Sequence, residues 1–352
     1  MNNIIQILHG CCQKWDGSAS KTEGEKFVLT WQLPHIDEGA DNEKNGALLE
    51  ERTELADKSL IAAVKIVSEI NRADHINSLW KRPEFIAKFG HKSKAYLTFA
   101  LHMGWTIEGA IGSDSKIDAC YLSPHLQATY RIQELCDYYD QQILVSDSLY
   151  NLMSLKARNT LRKIDVILMK ENKDGALGIF TFDLSFTAPD QLQSNVDFDE
   201  HVCGELIKLP DYETINIDSF RNKGVDYMFT LDSDLVGLQY HIAEFNPIFR
   251  TAFKCYIQGE WEQCADNIER CLELWENDGP TNALKYFMSF YRFISPSSWN
   301  GARDIDEEID QEKINAEQNF GNEEESVSEE EMTAKKQKEK TESKKAKKDK
   351  KK

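Results

Sequence analysis

The 352-residue sequence has no long hydrophobic run and no excess of basic residues. No stretch approaches the ~20 apolar residues of a membrane-spanning helix, so we expect contact with a membrane only through a partner. The 60 acidic and 42 basic residues give a net charge of −18, which argues against specific nucleic-acid binding. The start, MNNIIQILHGCCQKW, is too interrupted for a signal peptide and predicts a helix. We therefore expect a cytoplasmic protein.

Compact motifs of enzymes and metal sites are also missing. None of the eight cysteines forms a CxxC pair, which is typical of reduced, buried thiols in the cytosol. The eight histidines are spread along the sequence, and His102, inside a predicted strand, is expected to be a hydrogen-bonded core residue. The sequence has no P-loop, HExxH, GxSxG or zinc knuckle. The carboxylates from Asp304 to Asp310 lack the glycine spacing of a calcium loop.

The first half of the chain alternates strands and helices. The hydrophobic patterns predict strands at 26–33, 95–103, 106–111 and 143–145, helices at 55–70 and 125–139, and a closing antiparallel pair at 162–170 and 177–184. A polar loop is predicted between Ile111 and His125, and Ser146 is predicted to cap the next helix. This order predicts an α/β (α+β) fold with one sheet covered by helices.

The second half is organised differently. Residues 187–232 are mostly polar and predict a linker, whereas 233–303 predict a helical extension with two helices broken near Gly259 and a third after them. This helix-GxW-helix pattern resembles a tetratricopeptide (TPR)-like hairpin, but no further repeat follows. A helical cap on the first domain is therefore favoured over an independent peptide-binding repeat. Residues 304–352 turn from acidic to lysine-rich and predict a disordered tail, solvated or touching an acidic partner.

One segment carries a family resemblance. Residues 99–131 read FALHMGWTIEGAIGSDSKIDACYLSPHLQATYR, and 162–170 and 177–184 read RKIDVILMK and LGIFTFDL. This order resembles the catalytic domain of class III adenylyl/guanylyl cyclases over about residues 1–184. The GEWEQC…DGP segment, shared with divergent protist members, extends the resemblance to about Ala302. It implies a ferredoxin-type sheet covered by helices over residues 1–186, without the family's first strand.

The resemblance also implies a site. Class III cyclases dimerise, and two aspartates hold two divalent metals that activate the ribose hydroxyl. A Lys/Asp pair reads adenine, a Glu/Cys pair reads guanine, and an Asn/Arg pair orients the ribose and neutralises charge. In the segment KTEGEKF, Lys21 falls at the purine-reading lysine, and Glu25 replaces a metal aspartate with a side chain one methylene longer. The other metal aspartate would precede Met1. Lys21 and Glu25 could equally belong to a solvated hairpin.

The helix at 125–139 supplies the other implied residues. Arg131 holds the position of the transition-state arginine, and Gln127, four residues earlier on the same helix face, replaces the asparagine. Seven residues before Gln127, Cys120 is the guanine-type residue, with Asp118 close enough to substitute for it. Lys21 is instead the adenine-type residue, so the sequence assigns no base.

Three functions remain open. The first is a degraded cyclase-homology protein that acts as a scaffold or assembly component, with a cilium or axoneme suggested by the protist resemblance. The second is the half of a heterodimeric cyclase that lacks the metal aspartates and pairs with a homologue that keeps them. The third is a nucleotide-sensing domain. No cofactor is expected, except Mg²⁺ or Mn²⁺ if the chain is active with a partner.

Overall fold

The computed structural model describes residues 2–36, 42–89, 96–170, 175–184, 224–237 and 244–305. The chain divides into two compact units, residues 1–167 with 171–303, and residues 168–170 with 304–352. Of the second unit, only residues 168–170, 304 and 305 are described. The polar turn at 172–174, most of the predicted linker and the charged tail lie outside the described residues. Nearly all of the described residues therefore belong to the first unit.

The secondary structure confirms a mixed α/β fold. Its first part contains α1 (Asn2–Lys14), β1 (Ser18–Glu23), β2 (Lys26–Thr30), α2 (Asn42–Arg72), α3 (Asp74–Trp80), α4 (Pro83–Phe89), β3 (Phe99–Leu101), β4 (Ile107–Ser113), β5 (Lys116–Leu122), α5 (Pro124–Tyr138) and β6 (Ile143–Ser146). It continues with α6 (Asp147–Tyr150), α7 (Leu155–Asn159), β7 (Arg162–Leu168), β8 (Leu177–Thr181), a 3-10 turn (Val225–Tyr227), α8 (Met228–Leu231), α9 (Ser233–Gly237), α10 (Phe245–Gln258), α11 (Trp261–Leu274), α12 (Gly279–Phe290) and β9 (Arg303–Asp304).

A mixed sheet forms the centre of the fold, in the order β3-β6-β8-β7 with β9 on the outer side of β7. Strand β3 is parallel to β6, whereas β8 is antiparallel to both β6 and β7. The predicted closing pair is thereby confirmed. Two separate hairpins, β1-β2 and β4-β5, complete the strands of the described part of the chain.

Helix α2 covers the sheet because its apolar residues recur at helical spacing. Leu60, Ile61 and Val64 are fully buried in one cluster with strand residues such as Ile143 and Val145. Further along, Ile66 and Ile70 of α2 pack in a second cluster with Leu8 and Cys11 of α1. The predicted helix at 55–70 is thus confirmed and is longer, at 31 residues. No helix among the described residues is long and apolar enough to cross a membrane.

The predicted polar loop after Ile111 is wrong. Strand β5 pairs antiparallel with β4 from Ile107↔Leu122 to Ser113↔Lys116, across a two-residue turn. Every residue of β4 is exposed, so this hairpin is not part of a core. A strand exposed in this way need not show the apolar alternation by which strands are recognised, and its polar residues therefore suggested a loop.

The helical extension contains two helices, α10 and α11, that are joined at Gly259, as predicted. Gly259 has φ +80° and ends α10 in the left-handed conformation, which suits glycine because it has no Cβ. Trp261 follows as a buried residue, and its Nε1 donates to the carbonyl of Tyr256 at 3.0 Å. Helix α12 is the predicted third helix, and Asp278 caps it by accepting from the backbone NH of Thr281 at 3.0 Å.

The cysteines agree with the expectation of reduced, buried thiols. The seven within the described residues are free, and six of them are buried. Burial raises the pKa of Cys136 to about 12, with a further contribution from Asp137. Cys120, the half-exposed exception, is one of the candidate site residues.

Candidate functional site

The hairpin β1-β2 carries Lys21 and Glu25. Glu23 and Lys26 are register partners, so Gly24 and Glu25 form the two-residue turn, with Gly24 at φ +62°. Glu25 is exposed at the tip. Lys21 and Glu23, two residues apart on one strand, share a face and form an ion pair. The hairpin therefore presents both a cation and carboxylates to its surroundings.

Lys21 and Cys120, the predicted pair of purine-reading residues, lie on strands β1 and β5, which contact each other. The hydrogen bond from Lys21 to Glu23, together with the charge of Glu23, raises the pKa of Lys21. Asp118 stands two residues earlier on β5, opposite Ile111. The structure thus brings β1 and β5 together around the predicted pair, while the roles of these residues stay predictions.

Helix α5 presents the other two candidates. It begins after Ser123, whose hydroxyl accepts from the backbone NH of His125 at 3.0 Å. Gln127 is exposed, and Arg131, on the same face, has a side chain that is 16% exposed. Arg131 Nη1 donates to Glu134 Oε2 at 3.1 Å. The helix therefore holds Gln127 and Arg131 side by side, as predicted from their spacing.

Hydrogen bonds connect α5 to the hairpin. The Tyr130 hydroxyl donates to Glu23 Oε2 at 2.8 Å, and Lys26 Nζ donates to Glu134 Oε1 at 3.4 Å. The bonds from Lys21 and Tyr130 lower the pKa of Glu23. Burial and the bond to Glu23 raise the pKa of Tyr130 to about 12. Lys21 and Arg131 therefore belong to two neighbouring groups, Lys21–Glu23–Tyr130 and Lys26–Glu134–Arg131, and Lys26 Nζ lies 5.3 Å from the ring centre of Tyr130.

Sequence reasoning did not find the carboxylates of these two groups. Glu23 and Glu134 were not candidates, although Glu134 follows Arg131 at the (i, i+3) spacing at which helix side chains meet. That spacing was the available signal. The pairing of Glu23 with Tyr130 joins residues far apart in the sequence and left no local signal.

The residues at the hairpin do not fit the two-metal site of class III cyclases. Divalent metals such as Mg²⁺ need several oxygen ligands in a fixed geometry. Glu25 stands at an exposed turn, and Glu23 is engaged with Lys21 and Tyr130. Among the described residues, no three His, Cys, Asp or Glu side chains form a group that could hold a metal. The described residues around this hairpin therefore lack the ligand set that a two-metal site requires.

A second polar cluster lies at the other side of α5's first turn. His102 follows β3 rather than lying within it, and its Nε2 is 3.0 Å from Nδ1 of His125. His102 Nδ1 is 2.8 Å from the hydroxyl of Ser146 and 3.2 Å from that of Ser148. The expectation of a hydrogen-bonded His102 is confirmed, but the statement that the histidines do not cluster is wrong for this pair.

The same cluster corrects the role of Ser146. It occupies the N-cap position of α6 but makes no side-chain capping bond, because its hydroxyl is used by His102 and Ser148. Gly104 makes room for the pair, since a Cβ there would lie 2.0 Å from the ring of His125. The close approach of His125 is thus the physical reason for a glycine at this position.

Comparisons with known proteins give a partial likeness. No protein-family model and no curated protein matches the chain. Among solved structures it is similar to a bacterial light-regulated adenylyl cyclase, at 14% and 15% identity and TM-scores of 0.38 and 0.37 in two structures, over 51% of this chain. It is also similar to the guanylyl cyclase Cya2, at 14% identity and TM-score 0.32, over 51% of this chain and 78% of that one. The chain spans only 43% and 42% of the light-regulated cyclases, so their activity is no more than a proposal for this chain.

Proposed function

We propose that this chain is a class III cyclase-homology protein that works as a protein-assembly component and does not by itself cyclise nucleotides. The observation that carries the proposal is the apolar surface of the β4-β5 hairpin. Five large apolar side chains on or beside it are 51–72% exposed: Trp105, Ile107, Ile111, Ile117 and Leu122. Exposed apolar patches of this kind mark interaction sites in soluble proteins.

The arrangement of these side chains supports a protein partner. Ile107 and Leu122 are register partners, and Ile111 lies on the same face of the hairpin. Ile117 projects from the opposite face, opposite Gly112. Because β4 and β5 pair only with each other among the described strands, both outer edges keep backbone groups that another strand could pair with. A second cyclase-homology domain, from another copy or a homologue, is the proposed partner.

The candidate site supports the second half of the proposal. Glu25 is the only carboxylate in the turn that should supply a metal ligand, and its described surroundings do not fit a two-metal site. Gln127 can still donate a hydrogen bond, but from a longer and looser side chain than the asparagine that it replaces. Removing a positioned donor of this kind costs on the order of 10²–10³ in turnover in other enzymes.

Self-association can be tested directly on the full chain by sedimentation velocity over a range of concentrations. We expect a concentration-dependent dimer that the double variant Ile107→Thr/Ile111→Thr converts to monomer, because threonine keeps strand propensity but removes apolar area. Leu155→Thr, at an equally exposed residue of α7, is the matched control and should dimerise like the wild type. A wild type that stays monomeric, or a double variant that still dimerises, would contradict assembly of copies through this hairpin.

The absence of turnover needs its own assay. The full chain is incubated with ATP or GTP in the presence of Mg²⁺ or Mn²⁺, and cyclic nucleotide is measured. We expect none from the chain alone. Product that disappears in Arg131→Ala would overturn this part of the proposal.

A second candidate function is favoured by the contact between β1, which carries Lys21, and β5, which carries Cys120, and by the shared face of Gln127 and Arg131. In this case the chain contributes the purine and ribose side of a site whose metal aspartates come from a homologue. Mixing the chain with a class III domain that retains both aspartates would then give cyclic nucleotide, and Arg131→Ala would abolish it. No product from any mixture would remove this candidate.

Three further expectations stay predictions. The location in a cilium or axoneme depends on the protist resemblance alone. Contact of the lysine-rich segment 335–352 with an acidic partner depends on composition, and that segment lies outside the described residues. Nucleotide sensing without catalysis would require nucleotide binding at the candidate site.

A further inference from the structure

Three cations and two carboxylates form two adjoining ion-paired groups on the β1-β2 hairpin and α5. Lys21 pairs with Glu23, Glu134 pairs with Lys26 and Arg131, and Glu23 and Lys26 are register partners in the hairpin. We call the two groups together the hairpin–helix ion cluster, and its members are Lys21, Glu23, Lys26, Arg131 and Glu134. Arg131 is the most buried of the three cations, with 16% of its side chain exposed, whereas the side chains of Lys21 and Lys26 are 27% and 42% exposed. The cations thus lie at the surface, within reach of a ligand in solution.

Both carboxylates use both of their oxygens. Glu23 Oε1 pairs with Lys21, and its Oε2 accepts from the Tyr130 hydroxyl at 2.8 Å. Glu134 Oε1 accepts from Lys26 at 3.4 Å, and its Oε2 accepts from Arg131 at 3.1 Å. Four carboxylate oxygens therefore accept from the donors that a bound anion would also use.

The charges in this region balance. The three cations of the cluster face its two carboxylates, and Glu25 in the hairpin turn adds a third. A chain with a net charge of −18 adds a repulsive background for any polyanion. The cations alone would form an attractive site for phosphate oxygens, since lysine and arginine bind them through charge-assisted hydrogen bonds.

We propose that Glu23 and Glu134 are built-in anions that mask a polyphosphate-binding site formed by Lys21, Lys26 and Arg131. The inference deepens the proposed function, and it rests on it only for placing the candidate site between the hairpin and α5. A linear polyphosphate, free or as the tail of a nucleoside triphosphate, binds only by displacing these carboxylates. An anion of low charge competes poorly with them, so the masked site favours ligands that carry several phosphate charges.

Displacement is physically accessible because both carboxylates are about half exposed, at 46% and 49% of their side chains. Ion pairs at such exposure are weak and are screened by salt. Removing two negative charges next to the ligand is therefore expected to strengthen polyphosphate binding about tenfold or more at low ionic strength.

The test is isothermal titration of the full chain with inorganic tripolyphosphate at low salt. We expect weak binding by the wild type and at least about tenfold tighter binding by Glu23→Gln/Glu134→Gln, with the gain lost at high salt. Adding Arg131→Gln to the double variant should remove the increase in affinity. This result would show that the tighter binding occurs at the hairpin–helix ion cluster. Parallel titrations with ATP and GTP separate the two sources, because only a base-reading site would prefer one nucleotide over tripolyphosphate.

The matched control is Glu50→Gln/Glu51→Gln, which removes the same charge from exposed positions of α2. Binding that rises equally in this control, or that persists after Arg131→Gln, would overturn the proposal, as would wild-type binding as tight as that of the double variant. The single variant Glu134→Gln gives the same test if the double variant does not fold. A negative result in the titrations would not contradict assembly through β4-β5, because sedimentation tests that proposal separately.

Discussion

His102 shows how one half-buried side chain makes stability depend on pH. Burial, and then the neighbouring His125, lower the pKa of His102 to about 4, whereas a histidine in an unfolded chain titrates near ~6.5. The unfolded state therefore binds the proton first as the pH falls. Below about pH 6.5, stability is lost with each further step in acidity until the folded pKa is reached.

This linkage predicts a change of about 2 kcal/mol in the free energy of unfolding between pH 7 and pH 5 from His102 alone. His102→Asn should remove that part of the pH dependence, even though the variant is less stable at pH 7. Urea unfolding at the two pH values measures both effects. His9→Asn, at an exposed position of α1, is the control and should keep the wild-type difference. Equal pH dependence in His102→Asn and wild type would contradict the prediction.

For Asp57 we expect the opposite dependence of stability on pH. It is 1% exposed and accepts from the backbone NH of Ser154 at 3.0 Å, at the start of α7. Burial raises its pKa to about 6, so the penalty of the buried charge grows as the pH rises from the unfolded pKa to that value and is complete above it. Asp57→Asn, which can still accept from Ser154, should stabilise the protein by about 1–3 kcal/mol at pH 8 and little at pH 4.

The comparison with Asp57→Ala makes this test specific. Alanine removes the same charge but leaves the NH of Ser154 without its acceptor, so it should gain less stability than asparagine. Thermal melts at pH 8 and pH 4 separate the three proteins. Asparagine less stable than wild type at pH 8 would show that the charge itself is needed.

At the scale of elements, α5 and the residue after it contact three other parts of the structure. The first turn of α5 contacts the histidine pair, its middle joins the β1-β2 hairpin through Tyr130 and Glu134, and its end approaches α12. A Cβ on Gly279 would lie 1.9 Å from the backbone carbonyl oxygen of Tyr139. This contact fixes the start of α12 against the end of α5, and only glycine permits it.

Glycine-to-alanine variants should therefore act in opposite directions at two helices. Gly279→Ala is expected to destabilise the protein by about 1–3 kcal/mol, because the backbone of Tyr139 must shift. Gly10→Ala in α1, where nothing lies within 4 Å of an added Cβ, should stabilise by about 0.5–1 kcal/mol through helix propensity. Chemical denaturation of both variants measures the two changes in the free energy of unfolding. Stabilisation by Gly279→Ala would show that α12 does not hold this position.

The elements also show what the sequence could reveal. Helices α2, α5, α10 and α11 follow from apolar periodicity and from the helix break at Gly259, and the β7-β8 pair follows from strand composition. Strand β5 was missed because the polar residues in and before it suggested a loop, and its apolar residues are not packed in a core. The bonds of Ser146 to His102, and of Tyr130 to Glu23, were missed because they join residues brought together only by the fold. Residue spacing placed Gln127 and Arg131 on one face, and the (i, i+3) spacing of Arg131 and Glu134 was an unused signal for their ion pair.

At the scale of the whole molecule, two buried arginines tie the helical extension to the sheet. Arg162 of β7 donates to Asp183 and, through Nη2, to Asp278 at 2.8 Å, and its guanidinium lies 4.5 Å from the ring centre of Phe249. Arg303 pairs with Asp165 of β7 at 2.5 Å and donates to the hydroxyl of Tyr139 at 3.0 Å. The sheet and the helical extension are thus joined by buried ion pairs, with Tyr139 after α5 bonded to one of them. Separating the parts would leave buried charges without a partner, which costs free energy.

These networks predict that the sheet and the extension unfold together. Removing one partner of a buried ion pair costs about 3–5 kcal/mol, because the other charge stays buried without compensation. Arg303→Met should lower the melting temperature while differential scanning calorimetry still shows one transition for both parts. Adding Asp165→Asn should recover part of the loss, since the orphaned charge is then gone. An independent peptide-binding repeat would instead melt in its own transition and leave that of the sheet unchanged in Arg303→Met. Two transitions in the wild type would therefore contradict the helical cap and restore the repeat as the better description.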